Sequence, residues 1–475
     1  MVANQASDTT IRLSGSDVTF VLDEHIEPQH TLKVAVFDEQ ASKDFRFEDI
    51  LETLRGAVDV LPQMQWRVEF VPLGIGHPSW VTDPTYDVAN HVHHTRLPEP
   101  GTRTQLCAKI SELASQPVPA GRPPWELWFL EGFEGSKVVA ALKMNHALAD
   151  GGTFADLLDM VTRPEPGAKP VVPPIPRAAA PSSRSVALRS GVGDLLRSMR
   201  DELPRRTAAL VRAYTRDRKS TAQRPPSRFG APVVPWRGPL TAGRTFSYGS
   251  VPLEDIRQMA KACSGTVNDV LIAIAAGAIR QYLIEENLPT DRPVIGNTAV
   301  RTRKPDDPRL WGTAVTALPF ELPTHLSDPL ERLRAAHAQT AMVKAQSATR
   351  PVHMEDWFDF SPPLVLGPAL KLTRAAAHRV NGAVIVSNVR GPREKRYLGN
   401  MGIENFISCG HLKYAAGVNL TVWSYDKFIN FAVYGCTRTL PDPELFTQRI
   451  LASFEELRSA TADLVENGNA VNGPG

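Results

Sequence analysis

Val138-Val139-Ala140-Ala141-Leu142-Lys143-Met144-Asn145-His146-Ala147-Leu148-Ala149-Asp150-Gly151-Gly152 is the stretch on which the fold turns. Val138 to Leu142 reads as a buried strand, and Gly151-Gly152 as a turn. Beyond it Phe154, Leu157, Leu158 and Val161 fall at i, i+3, i+4 and i+7, one face of a helix, with Thr153 and Asp156 as a capping pair. A histidine placed between strand and turn is held rigidly on one side and open to close approach on the other. Imidazole, with an ordinary pKa of about 6.5, suits a base that takes the proton of an attacking hydroxyl during acyl transfer. On spacing alone two readings stand: a catalytic base, or a structural histidine beside a helix-capping Asp-Gly.

Outward from this segment, 475 residues are too many for one ordinary core and call for two lobes. With 42% hydrophobic and 22% charged residues the composition is globular, and a net charge of +2 argues against nucleic acid as a partner. Cys107, Cys263, Cys409 and Cys436 form no CxxC pair, which speaks against zinc or a disulfide framework and fits a reducing compartment. Met1 to Gly15 lacks the apolar core of a signal peptide, and no apolar run approaches the roughly 20 residues that span a bilayer. The expected location is the cytoplasm, either free or peripheral on a membrane face or lipid droplet.

Proline divides the chain. Pro164 to Pro181 and Arg224 to Pro239 disfavour regular structure. Between them Leu188, Val192, Leu195, Leu196 and Met199 are helically spaced in a basic segment, Val186 to Arg218, that Pro204 should kink or split. The expected division is a first lobe over 1–165, a linker with its own helical segment over 166–235, a second lobe over 236–465 and an unstructured tail over 466–475. In the second lobe Ala383 to Val386 reads as a strand. Val418 to Val422 pairs with Phe428 to Val433 as a hairpin across Tyr425-Asp426-Lys427, and Phe446, Ile450, Phe454 and Leu457 mark a helix starting near Asp442-Pro443.

Asn145-His146-Ala147-Leu148-Ala149-Asp150-Gly151 resembles the HHxxxDG motif of the bacterial wax ester synthase/diacylglycerol acyltransferase family, a branch of the CoA-dependent acyltransferases. Collinear elements extend the resemblance: Arg12-Leu13-Ser14 to Phe20, Tyr86 to His94 with Leu97-Pro98, Pro123-Pro124-Trp125-Glu126, Thr266-Val267-Asn268-Asp269-Val270, Ser387-Asn388-Val389-Arg390-Gly391-Pro392 and Gly417 to Val422. The resemblance implies a two-lobed α/β fold of the chloramphenicol-acetyltransferase type, with mixed sheets flanked by helices and a channel between the lobes. It implies His146 as general base, a long-chain acyl-CoA as donor substrate with no bound cofactor, and diacylglycerol or a long-chain alcohol as acceptor. The product would be triacylglycerol or a wax ester. The motif's first histidine is Asn145 here, which can orient a loop but carries no proton at neutral pH.

Around His146 the resemblance places supporting residues: Asn145, Asp150, Gly151, Asn268 and Asp269. Asp150 should pair with an arginine, for which Arg301 is the candidate. Thr266 and Asp269 also satisfy a helix-capping pattern, so their plain role is a cap. Ser387, Asn388 and Thr421 are candidate oxyanion donors. Trp125 is expected to fix the chain ahead of the His146 strand. His91, His93 and His94 lack a cysteine or carboxylate to complete a metal site, and none is expected. The arginines from Arg189 to Arg218 form either a solvated face or a basic amphipathic surface for anionic lipid. Two other functions fit an HxxxDG loop: a CoA- or carrier-dependent acyltransferase of another kind, and a lipid- or acyl-CoA-binding protein weakened by Asn145.

Overall fold

The computed structural model describes residues 9–22, 24, 27–57, 60–219, 226, 234–303, 306–307, 309–349, 355–376, 384–412 and 416–470. Seven strands belong to the first half of the chain: β1 (Ile11–Arg12), β2 (His30–Phe37), β3 (Trp66–Glu69), β4 (Ser79–Thr82), β5 (Val92–Arg96), β6 (Trp125–Phe133) and β7 (Lys137–Asn145). Eight follow: β8 (Arg244–Pro252), β9 (Val294–Arg301), β10 (Val315–Leu322), β11 (Val384–Arg390), β12 (Tyr397–Leu398), β13 (Met401–Cys409), β14 (Val418–Tyr425) and β15 (Phe428–Cys436).

The second sheet, in the order β10-β9-β11-β14-β15-β8, is mixed: β11 runs parallel to both β9 and β14, while the remaining pairs are antiparallel. Its core is made with the helices Val267–Glu285, Pro329–Thr349 and Pro443–Ala470. Val267–Glu285 is long and apolar enough to cross a bilayer, but most of its residues are buried against this sheet and its neighbouring helices. Continuous apolar character here is the signature of a helix enclosed on all sides.

The first sheet has the order β12-β13-β2-β7-β6-β5 and is also mixed, with β5 parallel to β6. Its outer strands β12 and β13 come from the second half of the chain, and β13 pairs with β2 from Cys409↔Leu32 to Ile403↔Phe37. The lobes are therefore not separable by cutting the linker at 166–235. A third apolar cluster joins the lobes, with Leu32, Val34 and Leu106 from the first half packed among Phe246, Ile407 and Tyr434 from the second.

The hairpin and the late helix form as their sequence patterns indicate. Tyr425 pairs with Phe428 across Asp426-Lys427, and Asp426 takes a positive φ of 49° to close the turn. Helix Pro443–Ala470 buries Phe446, Ile450, Phe454 and Leu457, and it continues into the stretch expected to be an unstructured tail; 471–475 lie outside the described residues. The basic segment is interrupted just before Pro204, as its sequence indicates. Helix Arg184–Arg197 passes through a π-helical turn, Ser198–Glu202, into helix Leu203–Lys219. Pro204 is the second residue of that last helix, where its missing N–H is least costly, and the widened turn precedes it.

Candidate active site

β7 ends at Asn145, and the chain turns back on itself before helix Gly151–Val161 begins. Asn145 shapes this turn. Its Oδ1 accepts from the backbone N–H of Ala147 at 2.9 Å, and its Nδ2 donates to the Phe20 carbonyl (3.2 Å) and to Glu24 (2.9 Å). Glu24 also accepts from the Gln29 N–H at 2.7 Å and contacts His30 at 3.2 Å. A buried carboxylate thus anchors the residue that stands in the first position of the motif. An amide is suited to that place because it donates and accepts on one side chain.

His146 is buried, its ring stacked on Phe20 at 4.5 Å between centroids and met edge-on by His411 at 4.4 Å. Its Nδ1 lies 3.1 Å from the hydroxyl of Thr313, and the same hydroxyl donates to the His146 carbonyl at 3.1 Å. When the threonine proton lies on the carbonyl, the hydroxyl lone pair faces Nδ1 and Nδ1 carries the ring proton. In neutral imidazole Nε2 is then the basic nitrogen. Thr313 is held in turn by Asp17, whose Oδ1 accepts the Thr313 N–H at 2.8 Å. Burial pushes the Asp17 carboxyl up to about 6, against hydrogen bonds from Ser14 and Thr313 that lower it.

Asp150 is the N-cap of helix Gly151–Val161. One oxygen accepts from the N–H of Thr153 at 2.7 Å and the other from that of Ala314, also at 2.7 Å. Burial acts to raise its pKa, but those two N–H groups and the nearby His146 hold it below the usual carboxylate range. This corrects two expectations. The helix begins at Gly151 under an Asp150 cap, with Thr153 as its third residue, not under a Thr153–Asp156 pair. Arg301 is not the partner of Asp150: its guanidinium reaches Asp156 at 2.7 Å, further along the helix. The neighbouring Arg303 donates to the Thr153 hydroxyl (2.9 Å) and the Trp311 carbonyl (3.0 Å), and the Asp150 charge favours its protonated form through space.

The loop before β10 is stitched to the histidine turn by backbone as well: the Gly312 N–H donates to the Leu148 carbonyl at 2.8 Å. Neither Thr313 nor His411 carries a sequence signal. Both come from loops more than 160 residues from His146, and only the fold brings them there.

The remaining candidates divide. Thr421 is buried at the end of a short relay: it accepts from the Gly410 N–H (2.9 Å) and donates to Asn419 (2.7 Å), and Asn419 donates to the His411 carbonyl (2.8 Å). Its hydroxyl proton is thereby used in holding the His411 loop. Ser387 pairs with Thr421 across the parallel strands β11 and β14. Asn388 is exposed and donates to Asn268 at 3.3 Å. Alternation along β11 puts it on the opposite side from Val389, which packs over Gly151.

Asp269 does close the expected capping box with Thr266, and it also accepts from His337 (2.8 Å) and Thr340 on helix Pro329–Thr349. Trp125 is buried, donates to the Met64 carbonyl at 2.7 Å and stacks on His91. His93 lies against Trp128, and His94 bonds Glu131. Lys33, one strand over from the histidine turn, donates to Ser408 at 2.7 Å beneath Phe154 and Trp423; burial pushes it down to about 8.

Known proteins resemble this chain in sequence and fold. The family described as the wax ester synthase/diacylglycerol acyltransferase catalytic domain matches residues 13–271, and the C-terminal domain of the same family matches 311–458. A protein of Mycobacterium tuberculosis named as a candidate diacylglycerol O-acyltransferase is 30% identical over 465 residues, covering 94% of this chain and 97% of its own. A second from that organism, similarly named, is 28% identical, covering 96% of this chain and 92% of its own. Among solved structures, the wax ester synthase/diacylglycerol acyltransferase of Marinobacter aquaeolei superposes with a TM-score of 0.67 at 23% identity over 95% of this chain and all of that one. The first condensation domain of the calcium-dependent antibiotic synthetase gives 0.60 at 15% identity over 97% and 98%. At these identities the two structures speak for the two-lobed fold.

Proposed function

The chain belongs to the wax ester synthase/diacylglycerol acyltransferase family, and from that premise we propose an O-acyltransferase in which His146 is the general base. The donor is a long-chain acyl-CoA and the acceptor diacylglycerol or a long-chain alcohol. His146 Nε2 takes the proton of the acceptor hydroxyl as its oxygen attacks the thioester carbonyl. The tetrahedral intermediate then collapses, the carbon–sulfur bond breaks, and the imidazolium returns the proton to the departing CoA thiolate. Ester and free CoA are the products, and no acyl-enzyme forms.

The observation that supports this reading is the Thr313–His146 contact: with the hydroxyl proton on the His146 carbonyl, Nδ1 carries the ring proton and Nε2 is left as the base. A general base of this kind contributes about 10²- to 10⁴-fold. The acceptor resides in lipid, so we further propose that the protein works at a membrane or lipid-droplet surface. The excess of arginine along 184–219 supports that location.

The test is release of free CoA from palmitoyl-CoA by the purified chain, with hexadecanol or dipalmitoylglycerol as acceptor and the ester identified by mass spectrometry. Ester formed by the wild type and reduced at least about 10²-fold in a well-folded His146→Ala supports the proposal. Equal ester from both proteins refutes the role of His146. No ester from the wild type with either acceptor refutes the reaction.

A further inference from the structure

Helix Pro363–Ala375 has an unusual outward face. Its inward side, Pro363, Leu366 and Leu370, is buried against the first lobe's core, as an amphipathic helix requires. The outward side is apolar too: Leu364 is 60% exposed, Val365 57% and Leu372 72%. Pro368, Ala369 and Ala375 lie on the same exposed side, and the helix has no acidic residue. Its two charges are Lys371, which is exposed, and Arg374, which turns in to Glu27 at 2.8 Å. A water-facing helix side built this way is unfavourable for a protein alone in solution and marks an interaction surface.

The turn Pro72–Gly74 abuts this helix; a methyl group on Gly74 would come within 3.1 Å of the Leu364 nitrogen. In that turn Leu73 adopts φ 63°, ψ 2°, a left-handed conformation that its Cβ disfavours, and it is 79% exposed. Backbone strain is thus retained in order to display a leucine to solvent, and strain of that kind gathers at working surfaces. On its other side the same turn meets helix Arg184–Arg197, whose Gly191 lets the backbone approach Val71 and Gly76. That helix begins the segment 184–219, which holds ten lysines and arginines against four acidic residues, while the whole chain is nearly balanced at +2.

We propose that the outward face of helix Pro363–Ala375, together with Leu73, is the surface by which this protein docks on an anionic lipid bilayer, with the neighbouring arginine-rich helices meeting the headgroups. Apolar side chains raised on a strained turn and beside a cationic segment fit the acyl boundary and the negative charge of such a surface together. The choice of lipid over protein rests on that charge complementarity. The inference builds on the proposed lipid acceptor and names the surface that would bring the enzyme to it.

The experiment is flotation of the full chain with vesicles of phosphatidylcholine containing phosphatidylglycerol, and with vesicles of phosphatidylcholine alone. It compares the wild type, Leu73→Ser and the double variant Leu364→Ser/Val365→Ser. The variants are expected to lose about tenfold or more in partitioning, and wild-type binding to weaken as salt rises. All three positions are exposed, so thermal melting should be unchanged, and a melting curve separates lost docking from lost folding. Unaltered flotation of well-folded variants overturns the proposal. So does a wild-type dimer, seen by light scattering, that the double variant turns into monomer, because the face would then be covered by a second copy. Esterification of a detergent-dispersed acceptor, run in parallel, keeps the two readings apart: docking through this face without any ester formed would refute the acyltransferase chemistry and leave the surface standing.

Discussion

Asp150 and Asp269 both cap a helix, both are buried, and both stand in motifs whose acid invites a catalytic reading. Their second partners separate them. Asp150 reaches from the helix next to His146 to the N–H of Ala314, one residue past the threonine whose hydroxyl meets the histidine ring. Asp269 reaches from its helix to His337 and Thr340 on a neighbouring helix of the second lobe's core. On the proposed role of His146, one carboxylate fixes the geometry of a reacting group, and the other fixes the packing of a scaffold. Similar local chemistry therefore serves different ends according to what the distant oxygen meets.

The sharpest way to break this contrast is to convert each acid to its amide. Asp150→Asn keeps one cap hydrogen bond but turns an N–H₂ toward a backbone N–H, at Thr153 or at Ala314. Asp269→Asn escapes this, because its N–H₂ can face the Thr340 hydroxyl, which accepts from it while donating to the His337 carbonyl. Leaving a buried donor unsatisfied costs about 1–3 kcal/mol, and Asp150→Asn should lose stability on that scale in chemical denaturation, Asp269→Asn less. Activity should part them. Asp150→Asn is expected to lower kcat about 10²-fold at temperatures where it is fully folded, because a small misplacement of a base is expensive. Asp269→Asn should stay within a few-fold of wild type under the same conditions. Equal kinetic losses in the two variants would show that the distinction is wrong.

Thr313 tests the same idea one bond closer to the chemistry. Thr313→Val preserves shape and removes the hydroxyl that meets Nδ1. We expect kcat to fall about 10-fold with KM little changed, and Thr313→Ser to recover most of it. Nitrogen NMR of labelled histidine would report the tautomer directly, independent of any substrate. A purely structural role for Thr313 would leave the tautomer as it is.

Much of the architecture was readable from local periodicity. The β14–β15 hairpin, the strand leading to His146 and the helix from Pro443 follow from alternation, from 3.6-residue spacing and from turn residues. What escaped was everything decided by loops that meet across the chain. Arg301 was matched to the wrong acid because spacing along β9 does not reveal which turn of helix Gly151–Val161 it faces. Thr313 and His411 carry no motif of their own, and β13 gives no hint that it completes the sheet of the other lobe. The interruption at Pro204 was legible as well: two helices meet just before it across a π-helical turn.

Asp17 offers a smaller effect with a definite sign. Its carboxyl is pushed up to about 6 from an ordinary 3.8, so the folded state binds this proton more tightly than the unfolded chain does. The stability that protonation lends is complete below about pH 4 and is lost as pH rises toward 6, an amount on the order of 3 kcal/mol by linkage. Asp17→Asn removes the titration while its amide can still accept from Thr313. The difference in unfolding free energy between wild type and variant should therefore drift against the wild type from pH 4 to 6 and then level off. A flat difference would mean that Asp17 titrates normally, and that the wall behind Thr313 is wetter than its burial indicates.

The smallest change is expected where the sequence departs most visibly from the family motif. Asn145 gives one acceptor contact to Ala147 and donates to Glu24 and the Phe20 carbonyl, all of them contacts that shape the turn. In Asn145→His, a ring with Nδ1 toward Ala147 and Nε2–H toward Glu24 could reproduce one acceptor and one donor. It would forgo the bond to Phe20 and require extra room at a buried site. Overpacking of that kind costs roughly 1–3 kcal/mol. Turnover should remain within about threefold of wild type, since nothing in these contacts delivers a proton to the reacting atoms. A large gain in kcat for Asn145→His would put proton transfer at that position, and the comparison between reacting and scaffolding residues would then have to be drawn one residue earlier in the chain.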